Sequence, residues 1–536
     1  MVGRIIQLRL FLVICGFLLV QSCGCQSNTN QQQNSQDSLP TRAVDPAFPG
    51  DFSEPSSLRF DKDQISTFIS RFPQFKSLTN DLQTFYSARQ YSYAWYDTAG
   101  RIEQADNLFN KIMNIDEEGI SQKAVYLDTL SSMMAETDAK PDPQKELMLT
   151  SQYFDYAHKV WGGLTEKQTR SLNWFLPKKK LDLPFLMDSL LRDTSSSLIK
   201  KGYSIRQYDL LKGYLKRYRS LDSLKKWNPI ADENKSYRLG DTSKVIGQIR
   251  EKLFLVGDLP VNSSSNHFDK ELEAGVKSFQ ARFGLKQDGV VGPDFLRQLN
   301  APVSNYIKQI IVNMERSRWI PVQLTDEYLV VNIPAYQLIA YDNDKVAFRM
   351  NVVVGKAVHK TVIFNGDLKY IVFSPYWNVP PGIMRNEVLP AIKRDPGYLK
   401  RNNMEWNGNS VRQKPGPNNS LGLVKFLFPN EYNIYLHDSP AKNLFNEETR
   451  AFSHGCIRVA EPKKLAVYLL RKDPGWTEKR IDKAMHASRE QYVTLKDHVP
   501  VYIAYLTAWV DNTGKLNLRK DIYNRDQHLA AMILKK

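Results

Sequence analysis

Three hydrophobic patterns divide the chain. From about residue 56 to 230 apolar positions recur at helical spacing, as in Phe60, Ile65, Phe68, Ile69 and Phe72, and later in Tyr153, Phe154, Ala157 and Val160. The aromatic stretch from Phe85 to Tyr91, followed by Ala94 and Trp95, reads as the core of that helical region. From about 236 to 304 the helical period continues with different punctuation. Val245, Ile249 and Leu253 mark one helix, and Leu272, Val276, Phe279 and Phe283 another. Glycines at 284, 289 and 292 stand where connecting turns need backbone freedom. Beyond Ile307 the pattern changes to segments rich in Val, Ile and Tyr: Tyr328 to Ile333, Tyr336 to Tyr341 and Val346 to Val354. Asp342-Asn343-Asp344-Lys345 is a hairpin turn signal between the last two. Further strands are expected at 370–373, 434–437 and 499–510, and helices at 384–393 and 461–471. The expected fold is multidomain α+β, with a helical N-terminal domain over 56–235, a small helical module over 236–304 and a mostly-β domain over 305–536.

The first 55 residues have neither period. Arg4 and Arg9 precede the apolar run Leu10 to Val20, which has the length of a secretory signal and is short for a membrane span. It ends in Val20-Gln21-Ser22-Cys23, which resembles a bacterial lipobox. The resemblance implies removal of 1–22 and lipidation of Cys23, with Cys25 as a weaker competitor. Residues 23–55, rich in Gln, Asn, Ser and Pro, read as a flexible tether from the membrane. Several acyl chains on one terminus would anchor it stably. The expected location is therefore the cell envelope, as a periplasmic, membrane-anchored lipoprotein.

A chain of 536 residues exceeds one hydrophobic core, so two to four domains are expected. Its net charge is +16. That excess fits either a solvated basic surface or attraction to an anionic polymer or membrane. No nucleic-acid motif is present, and no nucleic-acid partner is expected. The four cysteines are Cys15, Cys23, Cys25 and Cys456. The first leaves with the signal and the next two sit at the anchor, so Cys456 has no plausible disulfide partner in an oxidising compartment.

Cys456 lies in Ser453-His454-Gly455-Cys456-Ile457-Arg458-Val459, and Tyr435-Leu436-His437-Asp438 precedes it. A thiol with a pKa of about 8.5 is a poor nucleophile at neutral pH until an imidazole takes its proton. Two imidazoles are candidates: His437, 19 residues upstream, and His454, two residues upstream. Residues two apart on an extended chain share a face, but a turn at Gly455 breaks that geometry, and the residues alone do not choose between them. The backbone N–H groups of Gly455 and Cys456 are candidates for an oxyanion hole. No HExxH or paired-cysteine spacing suggests zinc, and neither a metal nor another cofactor is expected.

The unit from Leu239-Gly240-Asp241 through Gln280-x-x-Phe283-Gly284-Leu285 and Asp288-Gly289-Val290-Val291-Gly292 resembles the small helical peptidoglycan-binding module of cell-wall enzymes. His437 followed by Ser453-His454-Gly455-Cys456-x-Arg458 resembles the L,D-transpeptidase family, whose catalytic domain is called YkuD-like. Val354-Gly355-Lys356, Pro375 to Pro380, Gln413 to Pro417, Asn419 to Gly422 and Val501 to Tyr505 fall in family order. The helical region resembles the scaffold domain of the large, YcbB-like subgroup. The resemblance implies that Cys456 is the nucleophile, that His437 is its base, oriented by the Asp438 carbonyl, and that His454 and Ser453 are auxiliary. It makes Arg458 a contact for a substrate carboxylate or a brace for the loop. Trp377, Tyr435 and Asn419 become candidate substrate-binding residues, with core packing as the competing role for the two aromatics. The segment 382–420, with Met384, Tyr398 and Trp406, resembles the family's capping loop. The implied partners are donor and acceptor peptidoglycan stem peptides. The implied reaction is 3–3 cross-linking with release of D-alanine, the alternatives being carboxypeptidase or exchange activity on the same stems, or wall binding without catalysis.

Overall fold

The computed structural model describes residues 56–136, 140–178, 180–192, 206–225, 227–231, 236–320, 325–343 and 345–534. The signal segment, Cys23 and the tether lie outside these, as does Asp344 of the hairpin turn. No described helix is long and apolar enough to cross a membrane.

The N-terminal region is helical around α1 (Pro143–Ala157), which is buried along most of its length. Asp142 caps it, accepting from the amides of Gln144 at 2.7 Å and Lys145 at 3.1 Å, and Pro143 occupies the first turn, where no N–H is needed. Phe60, Phe68, Tyr86 and Trp95 pack against it, as the aromatic pattern predicts. A carboxylate is among the polar groups buried in this core. Glu146 accepts from Tyr86 Oη at 2.7 Å and from the amides of Ala94 at 2.6 Å and Trp95 at 3.0 Å. Burial still pushes its carboxyl up to about 7.

Helix α2 (Arg206–Ser223) leads to the small module, built from α3 (Lys244–Val256), α4 (Lys270–Phe283) and α5 (Pro293–Leu299). The spacing between Gln280 and Asp288 now has a physical reason. The Gln280 amide donates to Asp288 Oδ1 at 2.8 Å and to Val290 O at 3.0 Å, and its oxygen accepts from Gly289 N at 2.9 Å. One side chain thus pins the turn that Gly289, at φ +75°, makes possible.

Helix α6 (Val303–Arg318) crosses into the β-domain. Its strands are β1 (Glu327–Asn332), β2 (Gln337–Asp342), β3 (Lys345–Gly355), β4 (Asn365–Phe373), β5 (Trp377–Asn378), β6 (Met404–Asn407), β7 (Ser410–Gln413), β8 (Val424–Leu427), β9 (Leu436–His437), β10 (Ala451–Ser453), β11 (Ile457–Val459) and β12 (Gln491–Ala504). The main sheet runs β10-β3-β11-β9-β8-β4-β12-β1-β2, and β2 also pairs with β3, so it closes on itself around an apolar core. Pairing of β9 with β11 is parallel, with Leu436 opposite Ile457 and His437 opposite Arg458. Strands β5, β7 and β6 form a separate sheet. Together with the helical turns of 381–401, it makes a cap with its own apolar cluster of Val379, Met384, Val388 and Val411.

Two expected strands are shorter or broken. Over 434–437 only Leu436 and His437 pair, because the Asn430 side chain takes both backbone groups of Ile434, at 2.8 and 3.2 Å. Over 499–510 the pairing stops after Ala504, because the Asn332 side chain occupies both backbone groups of Leu506, at 2.9 and 3.0 Å. The chain then forms a separate hairpin of β13 (Ala508–Val510) and β14 (Leu516–Leu518). Ala508, Val510, Leu516 and Leu518 belong to the core of the helical region rather than to that of the main sheet.

Candidate active site

The parallel pair β9–β11 builds the site by alternation. Leu436 and Ile457 are fully buried in the sheet's core. Side chains alternate along a strand, so Tyr435 and His437 on one chain segment, and Cys456 and Arg458 on the other, project to the opposite face together. The amide of Ile457 donates to Tyr435 O at 3.2 Å and extends this pairing past the strand end.

His437 is buried, and its Nδ1 lies 2.5 Å from the Asp438 carbonyl. The Leu421 carbonyl is a second hydrogen-bonding neighbour of the ring. Burial, reinforced by the Arg458 guanidinium, pulls the imidazole down to about 3, so it is neutral at physiological pH. The Asp438 carboxylate faces elsewhere. It accepts from Leu423 N at 2.9 Å, Ser439 N at 2.7 Å and Lys442 Nζ at 2.5 Å. Gly422 lies so close that a Cβ there would sit 2.4 Å from this carboxyl group.

The Cys456 thiol is half-buried and has no disulfide partner among the described residues. Its Sγ lies 3.6 Å from Asn433 O, and the backbone and hydroxyl of Tyr435 also bond it. Burial pushes the thiol up, while Tyr435 and Arg458 pull it partly back. The resting pair is therefore a thiol and a neutral imidazole rather than an ion pair. Arg458 carries a buried Nε with no partner, and no carboxylate pairs with its guanidinium among the described residues.

The turn bearing the thiol is held from below. Ser453 Oγ donates to Cys456 O at 2.5 Å and accepts from Gly455 N at 3.1 Å. Thr361 Oγ1 donates to Gly455 O at 2.9 Å and accepts from Gly355 N at 2.9 Å. Gly455 has φ +117°, a conformation that side chains disfavour.

Several expected positions are placed differently. The Gly455 N–H is committed to Ser453, so of the two expected oxyanion donors Cys456 N–H is the one left without a bonded acceptor among the described residues. Asn419, expected to bind substrate, is a buried clamp. It donates to Pro375 O at 3.0 Å and Lys414 O at 2.9 Å and accepts from Leu421 N at 2.8 Å. Both hydrogens of this amide are thereby given to backbone carbonyls. The His454 ring is engaged by other neighbours. Its Nε2 lies 3.6 Å from Glu387 of the cap, and its ring packs 5.1 Å from His359. Trp377 packs in the cap cluster, while Tyr435 stands 5.7 Å from the His437 ring. Thr361 is a site-supporting residue that sequence reasoning missed. Only the fold brings it beneath Gly455.

Residues 326–479 match the family model described as the L,D-transpeptidase catalytic domain, residues 80–215 a scaffold domain and residues 245–299 a "Putative peptidoglycan binding domain". By this match, residues 326–479 carry an L,D-transpeptidase catalytic domain. A protein described as "Putative L,D-transpeptidase" from Haemophilus influenzae is 32% identical over 247 residues, which are 42% of this chain and 50% of that protein. The chain thus spans about half the length of this curated relative. Among solved structures, an L,D-transpeptidase from Xylanimonas cellulosilytica is matched at 15% identity and TM-score 0.18, over 50% of this chain and 98% of the other. One from Mycobacterium smegmatis is matched at 14% identity and TM-score 0.20, over 33% and 58%. Likeness this low adds nothing to the fold. The matched catalytic domain contains the whole face formed by Tyr435, His437, Cys456 and Arg458.

Proposed function

We propose that the chain forms 3–3 cross-links between peptidoglycan stem peptides through a thioester on Cys456. The observation that carries this reading is the shared face of β9 and β11. It sets a lone thiol, a neutral imidazole and an unpaired guanidinium side by side. His437 takes the Sγ proton as the sulfur attacks the carbonyl carbon of the third stem residue. The tetrahedral intermediate collapses, and the leaving D-alanine amine carries away that proton. A side-chain amine of a second stem then attacks the thioester carbon and gives its proton to His437. The released thiolate recovers the proton, closing the cycle.

The Cys456 N–H faces the developing oxyanion, and Arg458 receives a substrate carboxylate. Because imidazole and thiol are not bonded in the free enzyme, substrate binding must complete their contact. The cap over 382–420 excludes water and so favours the amine over hydrolysis. The basic surface and an anchor at Cys23 would hold the enzyme against the wall in the periplasm.

The test is muropeptide analysis of sacculi from cells carrying the wild type or Cys456→Ala. Dimers with 3–3 links should disappear with the substitution. Purified enzyme that converts tetrapeptides to tripeptides without making dimers would reassign it as a carboxypeptidase.

A further inference from the structure

A cavity of about 220 Å³ lies away from the thiol, where the helical region meets the β-domain. Trp174 forms a bridge to Ile363, and Phe175 N donates to Ile363 O at 3.0 Å, so the two regions are joined by backbone at its wall. Trp174 and Trp319 meet edge to face at 5.1 Å and supply an apolar side. Lys360 and Arg525 supply charge, and no carboxylate lines the cavity.

Three of these groups lack partners that the fold normally provides. Trp174 is 2% exposed, yet its indole N–H has no acceptor among the described residues. Arg525 donates through Nη1 to Leu172 O at 2.7 Å, but among the described residues its buried Nε has no acceptor and no ion pair engages it. Lys360 Nζ donates to the Tyr523 carbonyl at 3.3 Å and stands 6.0 Å from the Tyr523 ring, with no carboxylate paired to it among the described residues. Arg316 differs, being tied to Asp526 at 2.6 Å. Asp526 in turn accepts from Thr507 at 2.6 Å, so both oxygens of that carboxylate are engaged by neighbours other than Arg525. Burial lowers Arg525, and the nearby Arg316 lowers it further, which an added negative charge would relieve. Buried donors without acceptors are rare in native proteins and ask for an occupant.

We infer that this cavity binds a small anion, a carboxylate or a phosphate, seated between Arg525 and Lys360 with the Trp174 indole as a third donor. Any apolar part of the ligand lies against Trp174 and Trp319. The site also touches the catalytic turn. Tyr523, on its wall, donates to Gly355 O at 2.5 Å and accepts from Thr361 N at 3.3 Å, and Thr361 holds Gly455.

The test uses the full chain with ¹⁵N-labelled tryptophan, whose nine indole signals include Trp174, identified through Trp174→Phe. Sodium acetate and inorganic phosphate are titrated separately at constant ionic strength. A saturable shift of the Trp174 indole with either probe, weakened at least tenfold in Lys360→Gln and in Arg525→Gln, is the expected result. The probe that saturates at the lower concentration identifies the anion class. A linear, unsaturable response to both probes, or saturation unchanged in the surface variant Lys360→Gln, would overturn the assignment even if Arg525→Gln failed to fold.

Discussion

Replacing Ser453 with alanine tests whether the nucleophile's position depends on one buried hydroxyl. Ser453 is 2% exposed, and its Oγ bonds Cys456 O at 2.5 Å and Gly455 N at 3.1 Å. Alanine leaves both backbone groups without a partner, at about 1–3 kcal/mol each. Cys456 is half-buried, so water can relieve part of the loss, and about 3 kcal/mol in total is a fair expectation. That corresponds to about a hundredfold change in a local opening equilibrium. Hydrogen exchange reads it at Ile457, whose amide bonds Tyr435 O, and at Lys356, whose amide bonds Ser453 O. Both should exchange about a hundredfold faster in Ser453→Ala, and cross-linking should fall by a similar factor, because a shift of about 1 Å can remove that much rate. Ser453→Thr keeps the hydroxyl and should lose far less. Exchange within threefold of wild type at both amides in Ser453→Ala would refute the reasoning.

Other outcomes follow from the same geometry. His437→Ala should lower the rate of Cys456 acylation by about 10²- to 10⁴-fold, and His454→Ala by less than tenfold; equal losses would return His454 to the chemistry. The folded pKa of His437 is depressed to about 3, so between there and its unfolded value near 6.5 the unfolded chain binds the extra proton. Stability is therefore fully present above about pH 6.5 and falls as pH drops toward 3. Denaturant titrations should show that acid slope flatten in His437→Gln. Gly422→Ala places a Cβ 2.4 Å from the Asp438 carboxyl at a φ of +61°. It should destabilise the domain by more than about 1 kcal/mol, seen as a lower unfolding midpoint. Asn419→Ala should loosen the cap without touching substrate. Limited proteolysis should then cut faster within 380–418 than in wild type.

The lone thiol and its flanking residues were legible because they are contiguous, and cysteine scarcity made Cys456 conspicuous. The helical regions were equally legible, since burial of one face repeats every three or four residues. What stayed hidden depends on partners far away in the chain. Asn332 ends the pairing of β12 by binding Leu506, 174 residues later. Thr361 grips Gly455 across 94 residues. Neither has a local signature. The clamp made by Asn419 stayed hidden for a different reason. A polar side chain beside a candidate site looks the same in sequence whether its amide faces a ligand or three backbone groups.

The β13–β14 hairpin has a consequence for where the enzyme can work. It belongs to the catalytic chain, yet it is gripped by the other regions. Gln207 of α2 exchanges two hydrogen bonds with Val510, at 2.6 and 2.9 Å, and Arg282 of α4 donates to Leu516 O at 2.7 Å. Arg282 is itself locked to Asp258 inside the small module. A module bolted on in this way cannot wander on a leash. If it grips a glycan strand, the thiol is presented at one fixed offset and one angle from that strand. The enzyme would then act as a gauge, selecting stems by their distance from the point of grip as well as by their chemistry.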